Sequence, residues 1–153
     1  MYQRILVAID GSQTSNQALQ EAITLGKALH SKLRLIHVVD IIGASWYSGE
    51  FTDLQPTWDF LIKSGRELLE QASQTVTDAG VTVDSHLEEI NGIGRHIAEV
   101  IIEQAGDWHA DLIVLGTHGR RGLNRVLLGS VAEGVMRLAE TPVLLIRSNS
   151  TTK

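Results

Sequence analysis

The sequence predicts a single α/β domain built on a parallel sheet covered by helices on both faces. Three observations carry that prediction. Wholly apolar runs occur at residues 5–9, 112–115 and 143–146, the pattern of strands buried on both faces. Between the runs, apolar residues recur every three and four positions, as on one face of a helix. Gly and Pro fall where one pattern gives way to the next. At 153 residues the chain fits one domain. A chain of about 150 residues buries roughly 68–70% of its unfolded surface, so the core needs no metal or disulfide staple.

Ile5-Leu6-Val7-Ala8-Ile9 makes the first strand and stops at Asp10-Gly11-Ser12. Ala18, Leu19, Ala22, Ile23, Gly26 and Leu29 place one stripe on a helix over residues 15–30. Residues 33–39 form the second strand, ending at Asp40. Residues 41–56 read as a long irregular connection with Trp46, Tyr47 and Phe51; a loop that long is uncommon without a function. A second helix carries Trp58, Leu61, Ile62, Gly65, Leu68, Leu69, Ala72 and Val76, with Gly80 as its stop. From Val81 to Glu88 apolar and polar residues alternate, which predicts a strand with one wetter face at a sheet edge. Ile97, Ala98, Ile101, Ile102 and Ala105 mark a third helix. The strand at residues 112–115 leads into a Gly-rich loop and a fourth helix, and Pro142 precedes the last strand, Val143–Ile146. The tail, residues 148–153, is polar and expected to be disordered. In such sheets ligands bind outside the carboxyl ends of the strands at the topological switch point. The turns after strands one, two and four are therefore the places to look.

Composition narrows the function classes. Thirteen Lys and Arg against eighteen Asp and Glu give a net charge of −5, which disfavours duplex nucleic acid as a partner. The absence of Cys removes thiolate nucleophiles, Cys-ligated zinc and iron–sulfur clusters. The first residues lack a basic and apolar leader pattern, and no apolar run approaches the ~20 residues of a membrane span. The expected location is the cytoplasm, with no membrane partner.

The chemistry concentrates in residues 116–130. Gly116, Gly119, Gly122 and Gly129 follow a buried strand, and Ser130 with Glu133 spells a capping box that predicts Ser130 as the N-cap of the fourth helix. A helix N-terminus offers free N–H groups and the positive end of its dipole to an anion, and glycines let the backbone approach phosphate closely. No Asp or Glu lies between Leu112 and Ala132, whereas Arg120, Arg121 and Arg125 do. Tight connections and solvated arginines would give the same residues without a ligand, so the segment is a candidate polyphosphate cradle. It is not a Walker A loop, because no Gly-Lys-Ser/Thr occurs in the chain.

Gly116-x2-Gly119-x9-Gly129-Ser130 resembles the ATP-binding signature of the universal stress protein family. The likeness extends to the opening strand with Asp10-Gly11-Ser12, to His37-Val38-Val39-Asp40, to the Gly92-containing turn, and to Thr141-Pro142-Val143-Leu144-Leu145-Ile146. It implies a Rossmann-like, adenine nucleotide alpha hydrolase-like sheet of five parallel strands in the order 3-2-1-4-5, with the family domain over residues 1–147. It implies an adenine nucleotide, ATP, ADP or AMP, over the ends of strands one and four. Ala8 and Asp10 would line the adenosine side, with Asp10 near the ribose or a metal such as Mg2+ held with the phosphates. The backbone of Val38 would read the adenine edge. Gly116, Thr117, His118, Gly119 and Arg120 would line ribose and phosphates, and Gly129, Ser130 and Val131 would hold the phosphates. Some ATP-binding members carry a hydroxyl where this chain has Ala132.

Three functional classes fit these residues: a nucleotide-binding stress-response or signalling module, a slow ATPase or phosphate-donor enzyme on the same site, and a nucleotide-free interaction protein. Phosphoryl transfer needs a base and metal ligands beside the cradle, and Asp10 alone is evident, with no catalytic residue otherwise assignable. The intact glycines and Ser130 argue against the third class. Ser12 reads as a turn or cap residue, His37 as a satisfied core residue, and Gly92-Ile93-Gly94 as an incomplete dinucleotide fingerprint whose turn is a further contact candidate. No His pair has metal-ligand spacing. The last strand carries no Lys, Glu or Pro to blunt an edge, and together with the resemblance this predicts a homodimer through Val143–Ile146.

Overall fold

The computed structural model describes residues 1–42, 54–118 and 128–148. Among them the order is β1 (Arg4–Ala8), α1 (Gln13–Leu29), β2 (Lys32–Asp40), α2 (Gln55–Asp78), β3 (Thr82–Ile90), α3 (Ile97–Asp107), β4 (Leu112–Gly116), α4 (Ser130–Leu138) and β5 (Val143–Ile146). All pairings are parallel and the strand order is β3-β2-β1-β4-β5, as expected. Alternate residues of each central strand enter opposite cores. Ile5, Val7, Leu33, Leu35 and Val114 pack with α1 and α2; Leu6, Ile36, Ile113 and Leu115 pack with α3 and α4. β1 and β4 are therefore apolar on both sides, which is why they read as continuous runs.

The helices are longer than the stripes implied. Ser12 caps α1, its Oγ accepting the Ser15 N–H at 3.2 Å, so the helix opens at Gln13. Pro56, placed by sequence in the connection, lies in the first turn of α2, where its missing N–H costs nothing. The rest of that connection, with Trp46, Tyr47 and Phe51, falls outside the described residues, as does most of the tail.

Three helices end in the same kind of turn. After α1, α2 and α3 the chain turns through a left-handed residue: His30 (φ 55°), Gly80 (φ 81°) and His109 (φ 56°). The following N–H then reaches back five residues, Ser31 to the Gly26 carbonyl, Val81 to Val76 and Ala110 to Ala105. These are Schellman turns, and they aim the chain straight into β2, β3 and β4.

One sequence expectation is corrected. Ser130 does not cap α4. The Glu133 N–H donates to the Gly129 carbonyl at 3.0 Å, so the first intrahelical bond starts at Gly129, which is the N-cap with extended backbone (φ −61°, ψ 157°). Ser130 is the exposed first helical residue, and no side-chain capping bond forms. Among the described residues, no helix is long and apolar enough to cross a membrane.

Candidate functional site

The site begins where β1 and β4 part. Their ladder runs from Ile5 opposite Leu112 to Val7 opposite Val114 and ends there. Beyond it β1 keeps company with β2 only, Ala8 opposite Ile36 and the Ile9 N–H donating to the Ile36 carbonyl at 2.9 Å. Over the same length β4 keeps company with β5, Leu115 opposite Leu145 and Gly116 opposite Ile146. The α1 crossover goes to one side and the α4 crossover to the other, so a crevice opens at the carboxyl ends of β1 and β4.

Two helix N-termini frame the crevice. On the β1 side Asp10 makes the turn: its Oδ1 accepts the Ser12 N–H at 2.9 Å, and its own N–H donates to Ser15 Oγ at 3.0 Å. Gly11 has φ 80°, a conformation open to glycine. Thr14 in the first turn of α1 is buried, and its hydroxyl donates to the His118 carbonyl. A Cβ at Gly116 would lie 2.7 Å from Thr14 Oγ1 and 2.9 Å from the Thr14 carbonyl carbon. The close approach that Gly116 permits is thus that of α1 onto β4.

On the β4 side the base of the Gly-rich loop is cinched. The Thr117 N–H donates to Ile146 of β5 at 2.9 Å, and the Thr117 carbonyl accepts the Gly129 N–H at 2.7 Å. The Thr117 hydroxyl, in a buried residue, pairs with His118 Nδ1 at 3.0 Å. Gly129 spends its N–H on this closure, so of the three residues expected to hold phosphate, Ser130 and Val131 keep first-turn N–H groups that no helical carbonyl can reach. The helix is pinned by α3, where a Cβ at Gly134 would lie 2.7 Å from Ala98 Cβ.

The sequence-predicted residues divide as follows. Ala8, Asp10, Gly116, Thr117, His118, Gly129, Ser130 and Val131 all lie at or just past the carboxyl ends of β1 and β4 or at the start of α4. Val38 lies in β2, half-buried and packed on the α3 side of the sheet. Gly119 and Arg120, like Arg121, Gly122 and Arg125, fall outside the described residues. The Gly92-Ile93-Gly94 turn is exposed at the end of β3, with β2 between it and β1. Thr14 and Ser15 were not foreseen, although hydroxyls directly after a strand-ending Asp-Gly-Ser are a legible signal of helix-start bonding. Among the described residues no cluster of three His, Cys, Asp or Glu could hold a metal ion.

A parallel sheet in the order 3-2-1-4-5, with a crevice at its switch point and a helix N-terminus at its rim, defines an open, doubly wound α/β protein. The sequence model of the Universal stress protein family matches residues 1–147, and the chain belongs to that family. It is 35% identical over 153 residues to Universal stress protein MJ0531 of Methanocaldococcus jannaschii, covering 96% of this chain and 83% of the relative. Among solved structures, hypothetical protein MJ0577 superposes with a TM-score of 0.83 at 27% identity over 99% of each chain. Two further structures share the fold at 24% identity. One is a universal stress protein in complex with cAMP, with a TM-score of 0.65 over 95% of this chain and 97% of its own. The other is the universal stress protein from Archaeoglobus fulgidus in complex with dAMP, with a TM-score of 0.68 over 95% and 98%.

Proposed function

We propose that this chain binds an adenine nucleotide, ATP or its products ADP and AMP, in the β1–β4 crevice and acts as a stress-response or signalling module. The observation that carries the reading is the parting of β1 and β4 beyond Val7 and Val114, directly before the first-turn N–H groups of α4. The cAMP and dAMP complexes of structural neighbours support it, since both ligands join adenine to a phosphate. In this reading Ala8, Asp10 and Val38 take the adenosine end, while residues 116–120 and Ser130 and Val131 take the phosphates. Asp10 is the carboxylate that would meet a phosphate-bound Mg2+. The same reading includes a homodimer through β5 and a location in the cytoplasm.

The test has two arms. Protein purified without added nucleotide is denatured and its supernatant resolved by HPLC, where an adenine nucleotide is expected. In the second arm Gly129→Asp is compared with wild type by calorimetry. Asp is the better N-cap by a few tenths of a kcal/mol, so stability holds or rises. Its carboxylate competes with phosphate for the same N–H groups, so ATP affinity falls about tenfold or more, the equivalent of 1.4 kcal/mol. Unchanged affinity would place the phosphates elsewhere.

A further inference from the structure

His37 reaches out of β2 toward the crevice by way of a neighbouring strand. Its Nδ1 lies 2.8 Å from the Ile9 carbonyl. A carbonyl only accepts, so Nδ1 carries the proton and donates. That carbonyl belongs to the peptide unit that ends in the Asp10 N–H, and the Asp10 N–H donates to Ser15 Oγ. The Ile9–Asp10 peptide is therefore gripped at both ends, by the imidazole on its oxygen and by the α1 hydroxyl on its nitrogen. The preceding Ile9 N–H is fixed too, on the Ile36 carbonyl. From this peptide the Asp10 side chain leaves to make its turn with Ser12.

The imidazole is itself seated. Gly65 of α2 lies against its back: a Cβ there would come within 2.8 Å of His37 Cδ2 and 3.3 Å of Nε2, and within 2.8 Å of Leu87 Cδ1. Any larger residue in that turn of α2 would force the ring off the Ile9 carbonyl. The ring thus joins three elements, β2, α2 and the end of β1, at the residue before Asp10.

We propose that His37 is a positioning residue of the nucleotide site: by holding the Ile9 carbonyl it sets the Ile9–Asp10 peptide and with it the direction in which Asp10 meets the ligand. This rests on the nucleotide reading above. An Asn amide can stand in for Nδ1; Leu cannot donate.

The experiment reads amide exchange by NMR in the nucleotide-free protein, and ATP affinity by calorimetry, in wild type, His37→Leu and His37→Asn. In His37→Leu the Asp10 and Ser12 amides exchange about tenfold faster and ATP binds about tenfold more weakly, the equivalent of one net hydrogen bond. Amides of β4 keep their protection. His37→Asn restores both quantities to within about threefold of wild type, a fraction of one such bond. In an Asp10→Ala background His37→Leu costs ATP affinity nothing further, which separates positioning from general destabilisation. Should His37→Leu not fold, His37→Gln takes its place, because its amide stands where Nε2 stood. Unchanged exchange at Asp10 and Ser12 overturns the proposal, and so does faster exchange with undiminished ATP affinity. Wild-type protein that takes up no ATP overturns the nucleotide reading, and amide exchange alone then decides whether His37 orients Asp10.

Discussion

A hydrogen in place of a methyl at Gly116 lets the first turn of α1 come against β4. The sequence marks Gly116 as the first glycine of a phosphate loop but gives no hint of Thr14, because the two meet only once the sheet has formed. Asp84 was equally opaque. It sits on edge strand β3, Arg34 Nε lies 2.6 Å from its Oδ1 and Lys32 Nζ 2.8 Å from its Oδ2, and Arg34 also lies over the ring of Trp108. Burial alone would raise the Asp84 pKa, but the hydrogen bonds and charges of Arg34 and Lys32 outweigh it and hold the carboxyl below its ordinary value. A depressed carboxylate stabilises the fold above its unfolded pKa of about 3.9 and loses that contribution as pH falls through the folded value. Asp84→Asn should therefore be less stable than wild type in urea at neutral pH, with the gap closing on titration below about pH 4. A gap that persists unchanged in acid would assign the loss to packing instead.

At the scale of elements, the three Schellman turns differ in one residue type. Gly80 takes the left-handed position freely, and a Cβ there would meet nothing within 4 Å; His30 and His109 adopt the same conformation with a side chain. An L-residue in this region costs about 1–2 kcal/mol, while Gly loses roughly 0.5–1 kcal/mol of chain entropy on folding. His30→Gly and His109→Gly should each raise stability by up to about 1 kcal/mol, and Gly80→Ala should lower it by a similar amount. Urea denaturation of the three variants checks the order. The sequence foretold the Gly80 stop and not the two His stops, since His is an uncommon signal of helix ends. Ser130 misled for the opposite reason: Ser with Glu three residues on fits a capping box, yet Gly129, tied to Thr117, starts the helix one residue earlier.

For the whole molecule, the repeated strand-helix pattern made a parallel sheet legible, because each crossover needs a helix. Strand order was a different matter. Nothing in the residue pattern says on which side of β1 a crossover lands, and 3-2-1-4-5 came from the family likeness. The edge character of β5 follows from that order. Its four residues are all half-buried, and none is charged. Pairing of two β5 edges about a twofold axis would satisfy both. Light scattering at micromolar concentration should give twice the chain mass for wild type and the chain mass for Leu145→Lys. A monomeric wild type, or a dimer indifferent to the lysine, would remove the proposal.

The opposite edge carries charge. β3 presents Asp84 to Arg34 and Lys32, and Glu88 to His86 at 3.0 Å and Gln104 at 2.9 Å. Charged side chains along an edge strand disfavour its pairing with another strand. With β5 pairing as predicted and β3 not, the sheet, counted in bonds between building blocks, would have a valence of one. Units of valence one make pairs and stop; units of valence two make ribbons without end. On that prediction the charges of β3 would hold edge-to-edge joining to two copies, quite apart from what they contribute to any single fold.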